Sequence, residues 1–314
     1  MKIGIDMMGG DFAPLEAVKG IQQYREDGSA HLVLVGDEEK ISRVLADHPL
    51  PESSFTIVHA PQVIGMHEHP TRALKEKQQS SIAIGFHLLS TGKTDAFISA
   101  GNTGAMLVGS LYSLKTLEGV LRPTISTIIP KENGHTGLLL DVGLNSDCKP
   151  EHLNQFAIMG SVYARNILGI ENPRVALLNI GEEEGKGNLL AQATYPLLKE
   201  NTQINFIGNI EGWDMFRNKA EVIVCEGFTG NVALKMAESL YHIFKERGIQ
   251  DDFLDHFNFE IYGGTPILGI NSPVMIGHGI SHAMAFKNMI DVASKIVKAD
   301  LISAFKTRFA EAVA

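Results

Sequence analysis

The sequence is poor in cysteine: Cys148 and Cys225 are the only two in 314 residues, beside a single tryptophan. Two thiols build no disulfide framework, and that scarcity points to a reducing compartment, the cytoplasm. Positive charge is also short. Lys and Arg number 27 against 36 Asp and Glu, a formal net charge of −9. Non-specific nucleic-acid binders are normally basic, so no nucleic-acid partner is expected. No apolar run approaches about 18 residues, so no spanning helix is expected. The opening MKIGIDMMGGD is broken by Asp6, Gly9, Gly10 and Asp11, which excludes the apolar core of a signal peptide. What is present is ordinary globular composition, 44% hydrophobic and 20% charged, which rules out a disordered chain. The length supports a large core without metals or disulfides. Residues 1–314 are read as a single α/β unit, with two interleaved subdomains as the variant.

Short apolar runs alternate with helical patterns. Strands are predicted at 2–6, 31–36, 55–59, 95–99, 124–129, 137–141, 174–179, 204–208, 221–225 and 274–276. Helices are predicted from about Pro14, at 80–90, after Gly104, at 150–167, at 189–199, from Gly227 to near Gly248, and as one long closing helix at 283–309. Strand–helix alternation predicts a three-layer α/β/α, Rossmann-like fold with a mostly parallel sheet.

One pattern occurs twice. Gly101-Asn102-Thr103-Gly104 and Gly227-Phe228-Thr229-Gly230 each follow a strand and open a helix. Such a turn presents backbone N–H groups at a helix start, where glycine admits an anion and the helix dipole favours it. The plain alternative is a tight turn with a cap. The echo is read as one turn type used twice. Neither copy nor the Gly9-Gly10 segment has the G-x-G-x-x-G spacing, so a nicotinamide cofactor is not expected.

Polar clusters follow several strands. Asp141 and Asn145 precede Lys149 and His152; Glu182, Lys186 and Asn188 lie in the run Asn179-Ile-Gly-Glu-Glu-Glu-Gly-Lys-Gly-Asn188; Asn209 and Glu211 follow another strand, and Asn231 follows the second Gly-x-Thr-Gly. Packing does not need such groups at strand ends, and together they read as the walls of one pocket. His278 and His282 are spaced by four but lack the Glu of a zinc-binding helix, so no metal is expected. Cys225 has no local His base and reads as packing.

The segments IDMMGGDFAP (5–14), ISAGNTGA (98–105), LLLDVGLNSDCKPEHLNQFAIMGSVYA (138–164), NPRVALLNIGEEEGKGN (172–188), INFIGNIEG (204–212), VIVCEGFTGNVALK (222–235), YGG (262–264) and HGIS (278–281) resemble, in this order, the PlsX-type phosphate acyltransferases of bacterial phospholipid synthesis. The resemblance covers nearly the whole chain. It implies conversion of acyl-[acyl-carrier-protein] and inorganic phosphate into acyl phosphate, a fold like the phosphate acetyltransferase and isocitrate/isopropylmalate dehydrogenase group, a homodimer, and no cofactor or metal. Trp213 stands where the family commonly has Arg, which removes a cation there.

Against that reaction, Lys186 and Lys149 are the candidate cations for phosphate. Asn102, Asn188 and Asn231 are candidates to position oxygens, and Glu182, Glu211 or Glu226 to orient donors or take a proton. Lys186, Asn188, Glu182 and Asn231 are taken as the catalytic set. Gly101, Asn102, Thr103, Gly104, Asp141, Asn145, Lys149, His152, Asn209, Glu211, Gly227, Thr229 and Gly230 are taken as substrate-binding.

An acidic carrier protein needs a local basic surface, and Arg72, Lys75 and Lys77, read on one short helix, are its candidate. Phe253, Leu254 and Phe257 lie among Asp251, Asp252, Asp255 and Glu260, a pattern unsuited to an anionic membrane, so they are expected to pack against protein. Membrane contact is expected only through a partner, the membrane acyl-phosphate:glycerol-3-phosphate acyltransferase. The rival readings are a coenzyme A-dependent short-chain phosphate acyltransferase, a dehydrogenase of the similar fold, and a non-catalytic scaffold.

Overall fold

The computed structural model describes residues 1–311. In chain order the elements are β1 (Lys2–Asp6), α1 (Leu15–Tyr24), β2 (His31–Gly36), α2 (Glu38–Asp47), β3 (Phe55–His59), α3 (Pro70–Glu76), α4 (Ser81–Ser90), β4 (Ala96–Ser99), α5 (Thr103–Ser113), β5 (Thr124–Pro130), β6 (Thr136–Leu140), α6 (Pro150–Asn166), β7 (Arg174–Leu178), α7 (Leu189–Glu200), β8 (Asn205–Ile210), β9 (Val222–Val224), α8 (Gly227–Glu246), α9 (Asp252–Asp255), α10 (Phe259–Tyr262), β10 (Thr265–Leu268), β11 (Val274–Ile276), α11 (Ala283–Lys298) and α12 (Leu301–Glu311). They form two compact units. Unit 1 comprises Met1–Thr116 and Phe259–Ile302; unit 2 comprises Leu117–Asn258 and the segment from Ser303 onward. The architecture is α/β/α with mostly parallel strands.

In unit 1 the strand order is β3-β2-β1-β4-β11-β10. All pairs are parallel except β10 with β11, which places Pro266 opposite Met275. The parallel strands read as nearly unbroken apolar runs because helices cover them. Gly85 of α4 lies against the Phe97 ring of β4 so closely that a Cβ there would overlap it. In unit 2 the order is β5-β6-β9-β7-β8, with β5 antiparallel to β6 and the remaining pairs parallel. Helix α6 packs on β6, β9 and β7, and α7 on α6 and β8.

Local chemistry sets most helix starts. Asp37 caps α2 by accepting from the N–H groups of Glu39 (3.1 Å) and Lys40 (3.2 Å), and Ser80 caps α4. Pro70 and Pro150 occupy the first positions of α3 and α6.

Four departures from the sequence reading bear on the larger elements and the basic candidates. Helix α2 went unread, although Asp37 followed by two glutamates is a cap signal. Strand β10 was also missed, since Pro266 reads against a strand and fits only an exposed or edge position. The expected closing helix is two helices: Asp300 takes φ +46°, a left-handed turn that Asp tolerates, between α11 and α12. Lys77 lies one residue beyond α3 rather than on it.

Candidate active site

Strands β6, β9, β7 and β8 run parallel, with Leu140 beside Val224, Leu177 beside Val224, and Leu178 beside Ile210. Their carboxyl ends therefore share one edge. The four loops leaving that edge carry Asp141, Cys225-Glu226, Asn179 and Glu211. This is the edge at which open α/β sheets hold ligands.

Asp141 is fully buried and organises its own loop. One carboxylate oxygen accepts from the N–H groups of Gly143 and Leu144, both at 3.0 Å. The other accepts from the backbone N–H and the side-chain amide of Asn145, both at 2.7 Å. Burial nonetheless raises its pKa, against those hydrogen bonds. Asn145 also donates to the Pro123 carbonyl at 2.9 Å, and its own carbonyl accepts from Gly227 N–H at 2.7 Å. Asn231 donates to the Val142 carbonyl at 3.1 Å, which ties the loop to α8. Gly230 is needed there, because a Cβ would strike the Asp141 carbonyl oxygen. Lys149 is exposed at the start of α6. His152 Nδ1 accepts from Lys149 N–H at 3.0 Å, and burial lowers the imidazole pKa.

The loop after β7 is anchored by Asn179, whose amide donates to the Lys186 carbonyl at 3.1 Å. Lys186 is exposed, its stem against Gly181. Two of the three preceding glutamates are held by other lysines: Glu182 by Lys219 at 2.6 Å and Glu184 by Lys199 at 2.5 Å. Lys219 also reaches buried Asp214 at 2.9 Å. Asn188 caps α7 through Ala191 N–H at 2.8 Å. Asn209 is buried and donates to the Glu183 carbonyl at 2.9 Å. Glu211 precedes the short turn 212–214, half-buried. Trp213 carries the Arg217 guanidinium over its ring at 4.4 Å, so a cation stands at this turn from a different position.

At the end of β9, Glu226 caps α8. Its carboxylate accepts from Thr229 N–H at 2.8 Å and from the Thr229 hydroxyl. Beside it opens an apolar groove of about 820 Å³ between α8 and the ends of β7 and α7. Its polar lining, Asn179, Gly187, Asn188, Glu226 and Thr229, comes from the strand-end loops and helix starts. A second cavity of about 540 Å³ is lined by Ser146, Asp147 and Cys148, and shares Asn188, Leu190, Glu226 and Phe228 with the groove. The sequence reading missed the groove's long wall. Its signal was legible: Phe228, Val232, Met236 and Leu240 recur at every fourth residue of α8.

Neither thiol is poised as a nucleophile. Burial pushes Cys148 up to about 12 and Cys225 well above its usual value, with nearby carboxylates adding to both. Behind the groove, buried Lys131 donates to the Met215 carbonyl at 2.6 Å, and burial lowers its pKa to about 8.

In unit 1 the carboxyl ends of β1, β4 and β11 likewise share an edge. Buried Asp6 accepts from the Ser99 hydroxyl at 2.7 Å and from Met8 N–H at 2.9 Å; Ser99 in turn accepts from Gly101 N–H at 2.9 Å. Asn102 caps α5 through Ala105 N–H at 2.9 Å, placing Thr103 and Gly104 in its first turn. The Asn102 amide donates to the carbonyls of Gly65, Met66 and Glu68 at 2.9 to 3.1 Å. Of the three basic candidates near α3, Arg72 pairs with Glu76 at 2.9 Å and Lys77 with Glu68 at 2.5 Å, while Lys75 is exposed.

A parallel α/β scaffold that opens an apolar groove onto polar strand-end loops is the kind that holds a ligand at its strand-end edge. Residues 1–253 match the family described as fatty acid synthesis protein. The phosphate acyltransferase of Dictyoglomus turgidum is 47% identical over 320 residues, covering 96% of this chain and 95% of that one. Among solved structures, a phosphotransacetylase from Streptococcus pyogenes superposes with TM-score 0.68 at 18% identity, covering 96% of this chain and 94% of that one. A 4-hydroxythreonine-4-phosphate dehydrogenase from Klebsiella pneumoniae shares the fold with TM-score 0.56 at 13% identity, over 95% and 99% of the two chains. The chain belongs to the PlsX-type phosphate acyltransferase family and is an acyltransferase.

Proposed function

We propose that this enzyme transfers a fatty acyl group from acyl-[acyl-carrier-protein] to inorganic phosphate, giving acyl phosphate for phospholipid synthesis. The observation that carries this reading is the apolar groove of about 820 Å³ reaching the polar strand-end loops. That volume suits a ligand with a long apolar tail and one reacting polar end, which the short-chain coenzyme A reading does not require. In the reaction an oxygen of hydrogen phosphate bonds to the thioester carbonyl carbon, the C–S bond breaks, and the proton that the phosphate loses ends on the departing carrier thiol. Phosphate is already anionic, so the site has to hold it and stabilise the oxyanion rather than supply a strong base.

Lys186 is assigned the neutralising charge, supported by its exposure between two glycines on the loop that continues into the groove lining. Lys149, beside the second cavity's lining, is the other cation for phosphate. Asn188 and Asn231 are assigned to hold the edge loops around the reacting groups, with Asp141, Asn145, His152, Asn209 and Glu211 shaping their walls. Glu182, which pairs with Lys219 at 2.6 Å, is assigned to relay the proton that phosphate loses. The Gly227-Phe228-Thr229-Gly230 helix start borders the reacting end. In unit 1, the helix start formed by Gly101, Asn102, Thr103 and Gly104 is proposed as an anion-binding turn in its own right.

Carrier-protein docking is proposed at Arg72, Lys75 and Lys77, with exposed Lys75 as the strongest member. A homodimer is proposed, supported by exposed apolar residues outside the groove such as Leu111 and Tyr112. Among the described residues no helix is long and apolar enough to cross a membrane. A cytoplasmic enzyme that hands its product to the membrane acyl-phosphate:glycerol-3-phosphate acyltransferase fits that observation. Phe257 meets the rings of Phe216 at 5.0 Å and Phe253 at 5.3 Å within unit 2, which supports packing of these side chains against protein.

The test compares acyl-carrier-protein and acyl-coenzyme A donors with phosphate, trapping acyl phosphate with hydroxylamine. The carrier-protein donor is expected to be the better substrate, and the reverse order would favour the coenzyme A reading. Lys186→Ala is expected to lower turnover at least tenfold in a folded protein, about 1.4 kcal/mol of transition-state stabilisation. Charge reversal at Arg72 and Lys75 is expected to raise the carrier-protein KM and leave the phosphate KM unchanged.

A further inference from the structure

At the other end of the unit 2 strands, where β7 and β8 begin, lies a polar cavity of about 330 Å³. Arg165 near the end of α6 and Arg308 of α12 line it, with Ser161, Asn172, Gln203 and Asn205. All six belong to unit 2, and among the described residues no carboxylate lines the cavity. The neighbouring Arg174 differs, because Glu221 already holds its guanidinium, Nε donating to both carboxylate oxygens at 3.1 Å. In a chain of net charge −9, the cavity is a local concentration of positive charge. The carboxyl end of α6 sets only about half a negative charge against it. Two buried polar atoms of the lining have no hydrogen-bond partner among the described residues: the Ser161 hydroxyl and the Gln203 carbonyl oxygen Oε1. Ser161 is only 7% exposed. A serine or threonine hydroxyl inside a helix commonly donates to the carbonyl four residues back. Ser110 does so to Met106 at 2.8 Å and Thr194 to Leu190 at 2.7 Å. Ser161 forgoes that bond and shares a face of α6 with Arg165, one turn on. Arg165 Nε donates to the Glu171 carbonyl at 2.9 Å, which orients the guanidinium. Gln203 is held as well, its N–H donating to Asn201 Oδ1 at 2.9 Å.

We propose that this cavity is a separate anion site for a small phosphate group that carries a hydroxyl, as hydrogen phosphate and small phosphate monoesters do. Guanidinium forks match phosphate oxygens with two parallel N–H bonds each. The Ser161 hydroxyl and the Asn205 amide are further donors for an oxygen the forks leave. The Gln203 oxygen only accepts, so it calls for a donor on the ligand, and the hydroxyl is that donor. An ionised carboxylate accepts only and leaves Gln203 unsatisfied. The site is remote from the catalytic edge. Strands β7 and β8 have five and six residues, so at about 3.3 Å per residue they put about 17 to 20 Å between the cavity and the loops of Asn179 and Glu211. An anion held here takes no part in acyl transfer. It ties α12 to α6 and to the start of β8, and it stabilises the folded state by mass action.

The experiment titrates the full-length enzyme with glycerol phosphate, inorganic phosphate and acetate, reading binding by calorimetry and the thermal midpoint in parallel. A phosphate probe is expected to bind and to raise the midpoint as its concentration rises. Arg165→Gln, at an exposed side chain, is expected to weaken that binding at least tenfold. Arg165→Lys keeps the charge and loses the fork, so an intermediate loss is expected. Ser161→Ala is expected to weaken binding severalfold, and it keeps the test valid should the arginine variants disturb folding. Lys186→Ala is expected to leave this binding unchanged. The two phosphate probes separate the sources. Glycerol phosphate binding that depends on Arg165 assigns the ester, and dependence seen with inorganic phosphate alone assigns the free ion. Binding of both phosphates that is unmoved in folded Arg165→Gln and Ser161→Ala overturns the proposal. So does acetate that binds as tightly and with the same dependence on Arg165. Binding lost in Lys186→Ala and kept in Arg165→Gln also overturns it and places the anion at the catalytic edge.

Discussion

The two Gly-x-Thr-Gly turns share a pattern and a position, each after a parallel strand, yet they start their helices in different registers. In unit 1 the helix begins inside the pattern: Asn102 is the cap and Thr103 the first helical residue. In unit 2 it begins earlier: Glu226 is the cap, Gly227 the first helical residue, and Thr229 the third. The echo is therefore not one turn used twice. The second residue decides the register. Asn102 accepts the capping N–H, whereas Phe228 has no oxygen to offer and the cap moves back to Glu226. The electrostatic outcome differs as well. Unit 1 opens its helix with a neutral amide committed to three loop carbonyls. Unit 2 opens its helix with a carboxylate that already complements the helix dipole.

The largest effect expected from this contrast is on stability in unit 1. Asn102→Ala removes a cap and the amide that holds residues 65–68, and is expected to cost about 2 kcal/mol in denaturant unfolding. A change below about 0.5 kcal/mol would erase the distinction between the two starts. Glu226→Gln keeps an accepting oxygen but loses the charge. It is expected to leave stability within about 1 kcal/mol and to lower the phosphate KM severalfold, because the carboxylate repels an anion at the reacting end. A raised phosphate KM would instead make Glu226 an orienting group. Thr229→Val keeps the shape and the backbone bond to Glu226 and removes only the hydroxyl, so less than about 1 kcal/mol is expected.

A separate effect, read only as a change with pH, appears above neutral pH. Lys131 of unit 2 titrates near 8 in the fold against an ordinary 10.5. Between those values the unfolded chain holds the extra proton, so stability gains from this group as pH rises. Lys131→Met is expected to remove that rise, read as the difference in thermal midpoint from wild type between about pH 8 and 10.5. A difference that stays flat across this window would remove the titration contrast.

Much of the site was legible because strand ends and caps are local. Lys186, Asn188, Asp141 and Glu211 were picked as polar residues following apolar runs, and parallel pairing brings their strand ends to one edge. The three carbonyls held by Asn102 were hidden, as was Lys219 holding Glu182, because those partners lie 34 to 37 residues away in sequence. Asn188 shows a further limit: the same side chain reads as chemistry in sequence and acts as the cap of α7 in the fold. The groove wall was missed for another reason. Its four-residue spacing reads as an ordinary buried helix face, and only the fold shows that Met236 and Leu240 are left uncovered.

Unit 1 is assembled from two stretches of chain separated by the main part of unit 2, and this imposes an order on synthesis. Strand β4 pairs with β11, Phe97 beside Val274. At about 5–20 residues per second, β11 is polymerised roughly ten to thirty-five seconds after β4. For that interval the nascent β4 has an open edge where β11 will pair, with hydrogen-bonding groups waiting for a strand that has not been made. Most of unit 2 emerges meanwhile as one continuous stretch and can close its own sheet first. The unit begun first, at Met1–Thr116, is thus the last to be completed, and translation speed across residues 117–258 sets how long that unfinished edge is exposed to other chains.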